Sequence, residues 1–252
     1  MGTGINIQGG LHIAGSGASI GIRPIVTEDL QLHLDAGNVT SYPGSGSTWT
    51  DLIASKAFTL YNSPTYSSSN GGYLNFSPSS SQYADTTTSL SSFSTWTVEL
   101  WHYYDGTNAG VDAGGAGASL LTEKFTGSPM AINYSIGNDA AIGSPTDLQS
   151  GFFNGSWRAT PSGYSLTANN WYHIVGTYDG STIKLYVNGS VAQSTSYSGS
   201  ISSSGHGIRL MRRWDNADFW GGRLAIVRIY SGDIGLSGVT QNFDAQRGRF
   251  GI

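Results

Sequence analysis

The sequence contains no cysteine, and this removes a disulfide framework, a thiolate metal centre and a cysteine nucleophile together. Charge is scarce as well. Only 11% of the residues are charged, against roughly 25% in an ordinary soluble domain, so solubility rests on Ser, Thr, Asn and Gly. A net charge of -4, from 12 basic and 16 acidic residues, supplies neither the basic footprint that nucleic acid requires nor a polybasic membrane patch. No apolar run approaches the length of a membrane-spanning helix. The first cation is Arg23, so a charged leader followed by a compact apolar segment is missing, and the expectation is a chain made in the cytoplasm without an export signal.

Glutamate occurs only at Glu28, Glu99 and Glu123, on separate segments. Glycoside hydrolysis needs two carboxyl groups roughly 5 to 10 Å apart across the scissile bond, and glucanases on sandwich folds carry them along one strand as E-x-D-x-E. No such run is present. Glu99, a lone carboxylate in a β-rich stretch, reads as hydrogen-bonded structure. His12, His33, His102, His173 and His206 show no metal-type spacing and no nucleophile motif accompanies them, so the chain is read as non-enzymatic.

What is present is β signal. Asn170 to Val191 alternates β-branched and aromatic residues around Asp179-Gly180 and Asn188-Gly189, which predicts a three-stranded antiparallel meander. Phe93 to Tyr104 is a second long strand, with Trp96, Val98 and Leu100 on one face and Trp101 and Tyr103 on the other. One face is expected to meet a second sheet and the other to line a concavity. Further strands are predicted over 30–34, 58–61, 73–76, 120–125, 130–136, 151–159, 163–166, 207–211 and 223–230, the last apolar enough for a central place. Trp49 re-enters the core after a Gly, Ser and Pro loop, and Trp171 is a core residue. The single helix signal spans about 236–247, with Ser237 to start it and Gly248 to end it. An all-β antiparallel two-sheet sandwich is the expected class, with a barrel as the alternative. Residues 1–27 form an extended Gly-rich arm ahead of one domain over 28–252. Ile5 with Ile7, Leu11 with Ile13 and Ile20 with Ile22 make the arm strand-like but unable to bury itself.

The W-x-H-x-x-x-T-Y-D-G run from Trp171 to Gly180 and L-Y-V-N-G from Leu185 to Gly189 resemble the signature of laminin G-like domains, which are concanavalin A-like jelly rolls. Phe93 to Trp101, Leu74 to Ala84 and Gly222 to Tyr230 resemble further stretches of that family. Ala225 and Ile226 stand where the family often has an acidic residue. A narrower resemblance joins Leu32 to Asn38, Ser41 to Leu52 and the QNFDAQRGRFG ending to versions of the domain in bacteriophage virion proteins. It implies a non-enzymatic capsid decoration or accessory protein at the virion surface. Residues 1–26 would then anchor it to the major capsid protein or to neighbouring subunits, in a homo-oligomer or larger assembly. The alternative is a carbohydrate-binding, host-attachment module of a tail or fibre protein.

Such modules hold sugars on aromatic platforms, and Trp157 beside Arg158 and Trp214 beside Asp215 are the candidates here. No cofactor is expected. Some members of the family bind calcium, and Asp215, Asn216 and Asp218 are the densest set of hard oxygen donors, yet Asp and Asn equally favour turns.

Overall fold

The computed structural model describes residues 24–90, 92–109, 118–124, 132–137, 148–201 and 205–252. In chain order its strands begin with β1 (Leu30–Asp35), β2 (Thr48–Thr50), β3 (Ala57–Tyr61), β4 (Thr65–Ser67), β5 (Tyr73–Phe76) and β6 (Tyr83–Asp85). There follow β7 (Trp96–Tyr104), β8 (Asn108–Ala109), β9 (Ser119–Glu123), β10 (Ile132–Gly137), β11 (Gln149–Phe153) and β12 (Trp157–Ala159). The last third supplies β13 (Asn170–Tyr178), β14 (Thr182–Val187), β15 (Ser190–Ser196), β16 (Ile208–Leu210), β17 (Phe219–Trp220) and β18 (Gly222–Tyr230), then helix α1 (Gly235–Phe250).

These strands make two large antiparallel sheets, with β8 and β17 paired in a separate two-stranded ribbon. The first has the order β15-β14-β13-β7-β18-β5-β4 with β1 also on β18, and the second β12-β11-β10-β9-β16-β6-β3-β2. Each keeps its own edge strands, so the architecture is the expected sandwich and not a closed barrel. Strand β18 is central, as its apolar run predicts. Trp96, Val98, Leu100, Ile174, Leu185, Val227 and Ile229 of the first sheet meet Trp49, Phe58, Leu60, Phe152, Ile208 and Leu210 of the second in one core. The sheets approach so closely that a Cβ on Gly176 would lie 2.1 Å from Ser150 Oγ.

The predicted meander is β13-β14-β15. Asn188 and Gly189 both have positive φ (51° and 78°), as a two-residue hairpin turn requires. At the other turn only Gly180 does, because Asp179 Oδ1 instead accepts from Ser181 N and Thr182 N at 2.8 and 2.7 Å.

Four expectations change. The strand predicted over 151–159 is a hairpin, β11 and β12, turned at Asn154-Gly155 where Gly155 has φ 97°. Residues 163–166 form no strand. The second face of β7 lines no concavity: α1 lies on it, with Trp101 stacked on Phe250 at 4.3 Å and on Phe243 at 6.0 Å. The helix starts at Gly235, two residues before Ser237, and runs past Gly248 to a left-handed Gly251, because Phe250 seats between Trp101 and Trp171 and Arg249 Nη1 donates to both Asp35 carboxylate oxygens at 2.9 and 3.0 Å. That bridge joins two of the three stretches that carried the narrower resemblance, Leu32 to Asn38 and the chain's ending.

Most of the predicted arm, residues 1–23, lies outside the described residues. Its final part belongs to the domain: Pro24 O accepts from Gln241 Nε2 at 2.7 Å, and Val26 N donates to Asn242 Oδ1 at 2.7 Å.

Candidate functional site

Two polar clusters stand out, one on each outer surface of the sandwich. The first is sealed beneath α1. Cross-strand register sets Glu99 of β7 beside Arg228 of β18. Arg228 Nη1 donates to Glu99 Oε1 at 2.6 Å, His173 Nε2 to the same oxygen at 3.1 Å, and Asn242 Nδ2 to Oε2 at 2.6 Å. Glu99, His173, Arg228 and Asn242 have no solvent exposure. Burial alone would raise the Glu99 pKa, but Arg228 and the hydrogen bonds from His173 and Asn242 outweigh it and hold the carboxyl at about 2. A carboxylate so fixed and so dry is a joint between sheet and helix, with no access for a substrate.

The second cluster lies on the outer face of the second sheet. Inward residues Phe58, Leu60, Ala84, Ile208 and Leu210 alternate with outward Thr59, Tyr61, Tyr83, Asp85 and Arg209, as a period of two dictates. Register then aligns Ser135, Thr122, Arg209, Asp85 and Thr59 in one row across five strands. One end of this row carries rings and charges. Tyr61 and Tyr83 stack at 4.4 Å with planes 1° apart, and the Arg212 guanidinium spans the rings of Tyr83 and Phe219 at 4.6 and 4.8 Å. Asp85 Oδ2 is shared by Arg209 Nη2 at 3.1 Å and Lys124 Nζ at 3.4 Å. Tyr61 is 37% exposed, while Tyr83, Arg212 and Phe219 are half-buried. The negative charge of Asp85, then burial, raises the Tyr61 phenol, and burial followed by the repulsion of Arg209 lowers Arg212. Tyr61, the exposed ring at the end of the stack, can receive the C–H face of a sugar, with Lys124 and Arg212 near its hydroxyl groups, while Asp85 and Arg209, each 5% exposed, are engaged in their ion pair and support the stack from below.

Trp214 is half-buried in the loop beside this cluster, and its carbonyl accepts from Arg209 Nη1 at 3.4 Å. The other candidate residues are placed apart. Trp157, on edge strand β12, packs against Phe153 on the outer face. Arg158 points the other way, with its guanidinium 5.0 Å from the Tyr197 ring, because successive strand residues alternate. Asp215 and Asp218 both bind the Arg213 guanidinium, at 2.7 and 3.1 Å, and Asn216 turns the chain at φ 72° with its carbonyl accepting from Arg212. Burial would raise Asp215, but the Arg213 hydrogen bond and the Ala217 amide lower it. A guanidinium thus fills the position that the calcium expectation gave to a metal, and among the described residues no group of three or more His, Asp or Glu is placed to hold one.

Tyr61, Tyr83, Asp85, Lys124, Arg209 and Arg212 were not singled out from the sequence. The tyrosines and Asp85 occupy alternate positions of short strands, which was the available signal. Their meeting depends on the pairing of β3, β6, β9 and β16, which lie far apart in the chain.

No curated protein matches the sequence. Solved structures do match in shape. Domain 4 of AbnA, a GH43 extracellular arabinanase from Geobacillus stearothermophilus, solved in complex with arabinotriose, shares 17% identity over 85% of this chain and 99% of its own, with TM-score 0.63. The receptor binding domain of botulinum neurotoxin type G shares 12% identity over 86% of this chain and 51% of its own, at TM-score 0.60. Trypanosoma rangeli sialidase shares 14% over 89% of this chain, which spans only 34% of that protein, at TM-score 0.60. At these identities the likeness is one of fold. Residues 78–236 match the family described as the concanavalin A-like lectin/glucanases superfamily, and the chain belongs to that superfamily.

Proposed function

We propose that this chain is a non-catalytic glycan-recognition module that binds through the outer face of its second sheet. The observation that carries this reading is the Tyr61, Tyr83, Arg212 and Phe219 stack beside Asp85, Arg209 and Lys124. Trp214 lies in the loop beside this stack, its carbonyl accepting from Arg209, and Trp157 marks the far edge of the same sheet. The fold is shared with a domain solved with a bound arabino-oligosaccharide and with a toxin receptor-binding domain, which supports recognition as the task. Glu99, the carboxylate in the long strand, is buried away from any ligand, which supports the reading without catalysis. A glycan array probed with the parent, Tyr83→Ala and Arg212→Ala decides the matter. Retention of a glycan by the parent, lost tenfold or more by both variants, is expected; an array with no retained glycan sinks the proposal.

A second reading, favoured by the phage-like stretches and by the Ile pairs of residues 1–23, places the module on a virion. The bonds of Pro24 and Val26 to α1 set where a tether would leave the domain. Co-sedimentation with purified capsid shells, comparing the full chain with residues 24–252, should show saturable attachment only when residues 1–23 are present. Absence of attachment by the full chain excludes this placement.

A further inference from the structure

A separate cleft opens between the loop that precedes β2 and the turn that leads from β3 into β4. Its volume is about 670 Å³, and Tyr42, Ser45, Ser47, Ser63, Thr65 and Tyr66 supply its polar and aromatic lining. That volume falls within the range, roughly 300 to 1,000 Å³, of sites that take small ligands. Leu60 and Pro64, both buried, form the apolar floor. None of the lining residues is charged.

The geometry points to this cleft as a binding site for a neutral hydroxylated ligand, a short uncharged oligosaccharide, distinct from the charged face of the second sheet. The half-buried Tyr66 ring offers a stacking surface, tilted at 5.5 Å from Tyr42, whose hydroxyl is held on Gly46 O at 2.9 Å. The exposed hydroxyls of Ser45, Ser47, Ser63 and Thr65 and the backbone of the Gly44 to Ser47 loop line the same cleft, the carbonyls able to serve a sugar hydroxyl as acceptors and the hydroxyls as acceptors and donors. The absence of charge among these groups selects against ionised sugars, whose carboxylate would lose water without gaining a cationic partner.

Backbone conformation supplies an independent observation. Asn62 and Ser63, two successive non-glycine residues, both adopt positive φ (59° and 56°), which orders the wall ahead of Pro64. Gln82, 9% exposed, fixes this conformation by donating from Nε2 to both Asn62 O and Ser63 O at 2.9 and 3.0 Å. A costly conformation held by a dedicated buried amide keeps the cleft open before any ligand arrives.

Titration calorimetry on the full chain with maltotriose, cellotriose and arabinotriose, and with a sialylated trisaccharide, tests the site. Ser45 is exposed at the mouth, so Ser45→Trp fills the cleft without removing core packing, and Tyr66→Ala removes the platform. At least one neutral trisaccharide should bind, and each variant should weaken it tenfold or more. Tyr83→Ala, on the other face, should leave it unchanged. Failure of all three neutral sugars to bind, or binding that survives Ser45→Trp, overturns the inference. Loss in Tyr83→Ala alone would move the site to the second sheet and leave the proposed function standing.

Discussion

Arg228 and Glu99 form an ion pair with no exposure on either side, and their value lies in being complete. A carboxylate taken out of water costs several kcal/mol unless its partners remain, so removal of one partner is far more damaging than replacement of both. Arg228→Met should destabilise the fold by about 3 to 5 kcal/mol, measured by urea unfolding, and Glu99→Gln combined with Arg228→Met should recover part of it. Unfolding of Arg228→Met at the parent's midpoint would contradict this account. Sequence reasoning read Glu99, a lone carboxylate in a strand, as hydrogen-bonded structure and found no metal or catalytic pattern around His173. It could not reach their partnership, since 74 residues separate them and 143 separate Glu99 from Asn242. The same holds for Tyr83 and Arg212: alternation tells which side of a strand a residue takes, whereas the neighbour it meets is set by strand order.

Helix α1 shows what local signals leave out at the scale of an element. Its existence was legible in Leu236, Val239 and Phe243, but its end was set by packing: Phe250 lies 4.6 Å from the Trp171 ring and 4.3 Å from Trp101. Those contacts outweigh the helix-breaking tendency of Gly248, which costs about 1 kcal/mol relative to alanine. A Cβ on Gly248 would meet nothing within 4 Å. Gly248→Ala should therefore stabilise the protein by about 0.4 to 1 kcal/mol, mainly by restricting the unfolded chain, and raise Tm in a thermal melt. A lowered Tm would show that the helix ends differently. Trp171→Ala should act in the opposite direction, by about 3 to 5 kcal/mol. Trp171 is core, as its place in the meander suggests, but in the smaller cluster beneath the helix and not between the sheets. If that variant unfolds at the parent's denaturant concentration, the helix does not depend on this cluster.

At the scale of the molecule, the sandwich was legible because strand periodicity and turn residues recur along the whole chain. The covering of one face by α1 was not, because apolar residues on both sides of β7 suit a helix as well as a concavity. Two histidines resist protonation: His102, buried on the inward face of β7, and His33 on β1. His102 Nδ1 lies 3.0 Å from Arg223 O and Nε2 accepts from Trp220 Nε1 at 3.2 Å, an arrangement that suits the neutral ring. Burial lowers His102 to about 4, and burial followed by the charge of Arg228 lowers His33 to about 4. Both folded values lie below the 6.5 of a free histidine, so between pH 6.5 and 4 the unfolded chain binds more protons. The stabilisation is complete above pH 6.5 and is lost as pH falls toward 4, at roughly 3 kcal/mol for each ring. Glu99 continues the trend lower down: its carboxyl is held at about 2 against an ordinary 4.5, so its contribution persists above pH 4.5 and drains away as pH falls toward 2. Tm measured from pH 8 down to pH 3 should be level to about 6.5 and then decline without a plateau. His102→Gln, which retains an acceptor for Trp220 and a donor for Arg223 O, should flatten the first part of that decline. A Tm that stays level from pH 7 to 4.5 in the parent would mean that these rings take up protons without unfolding the core.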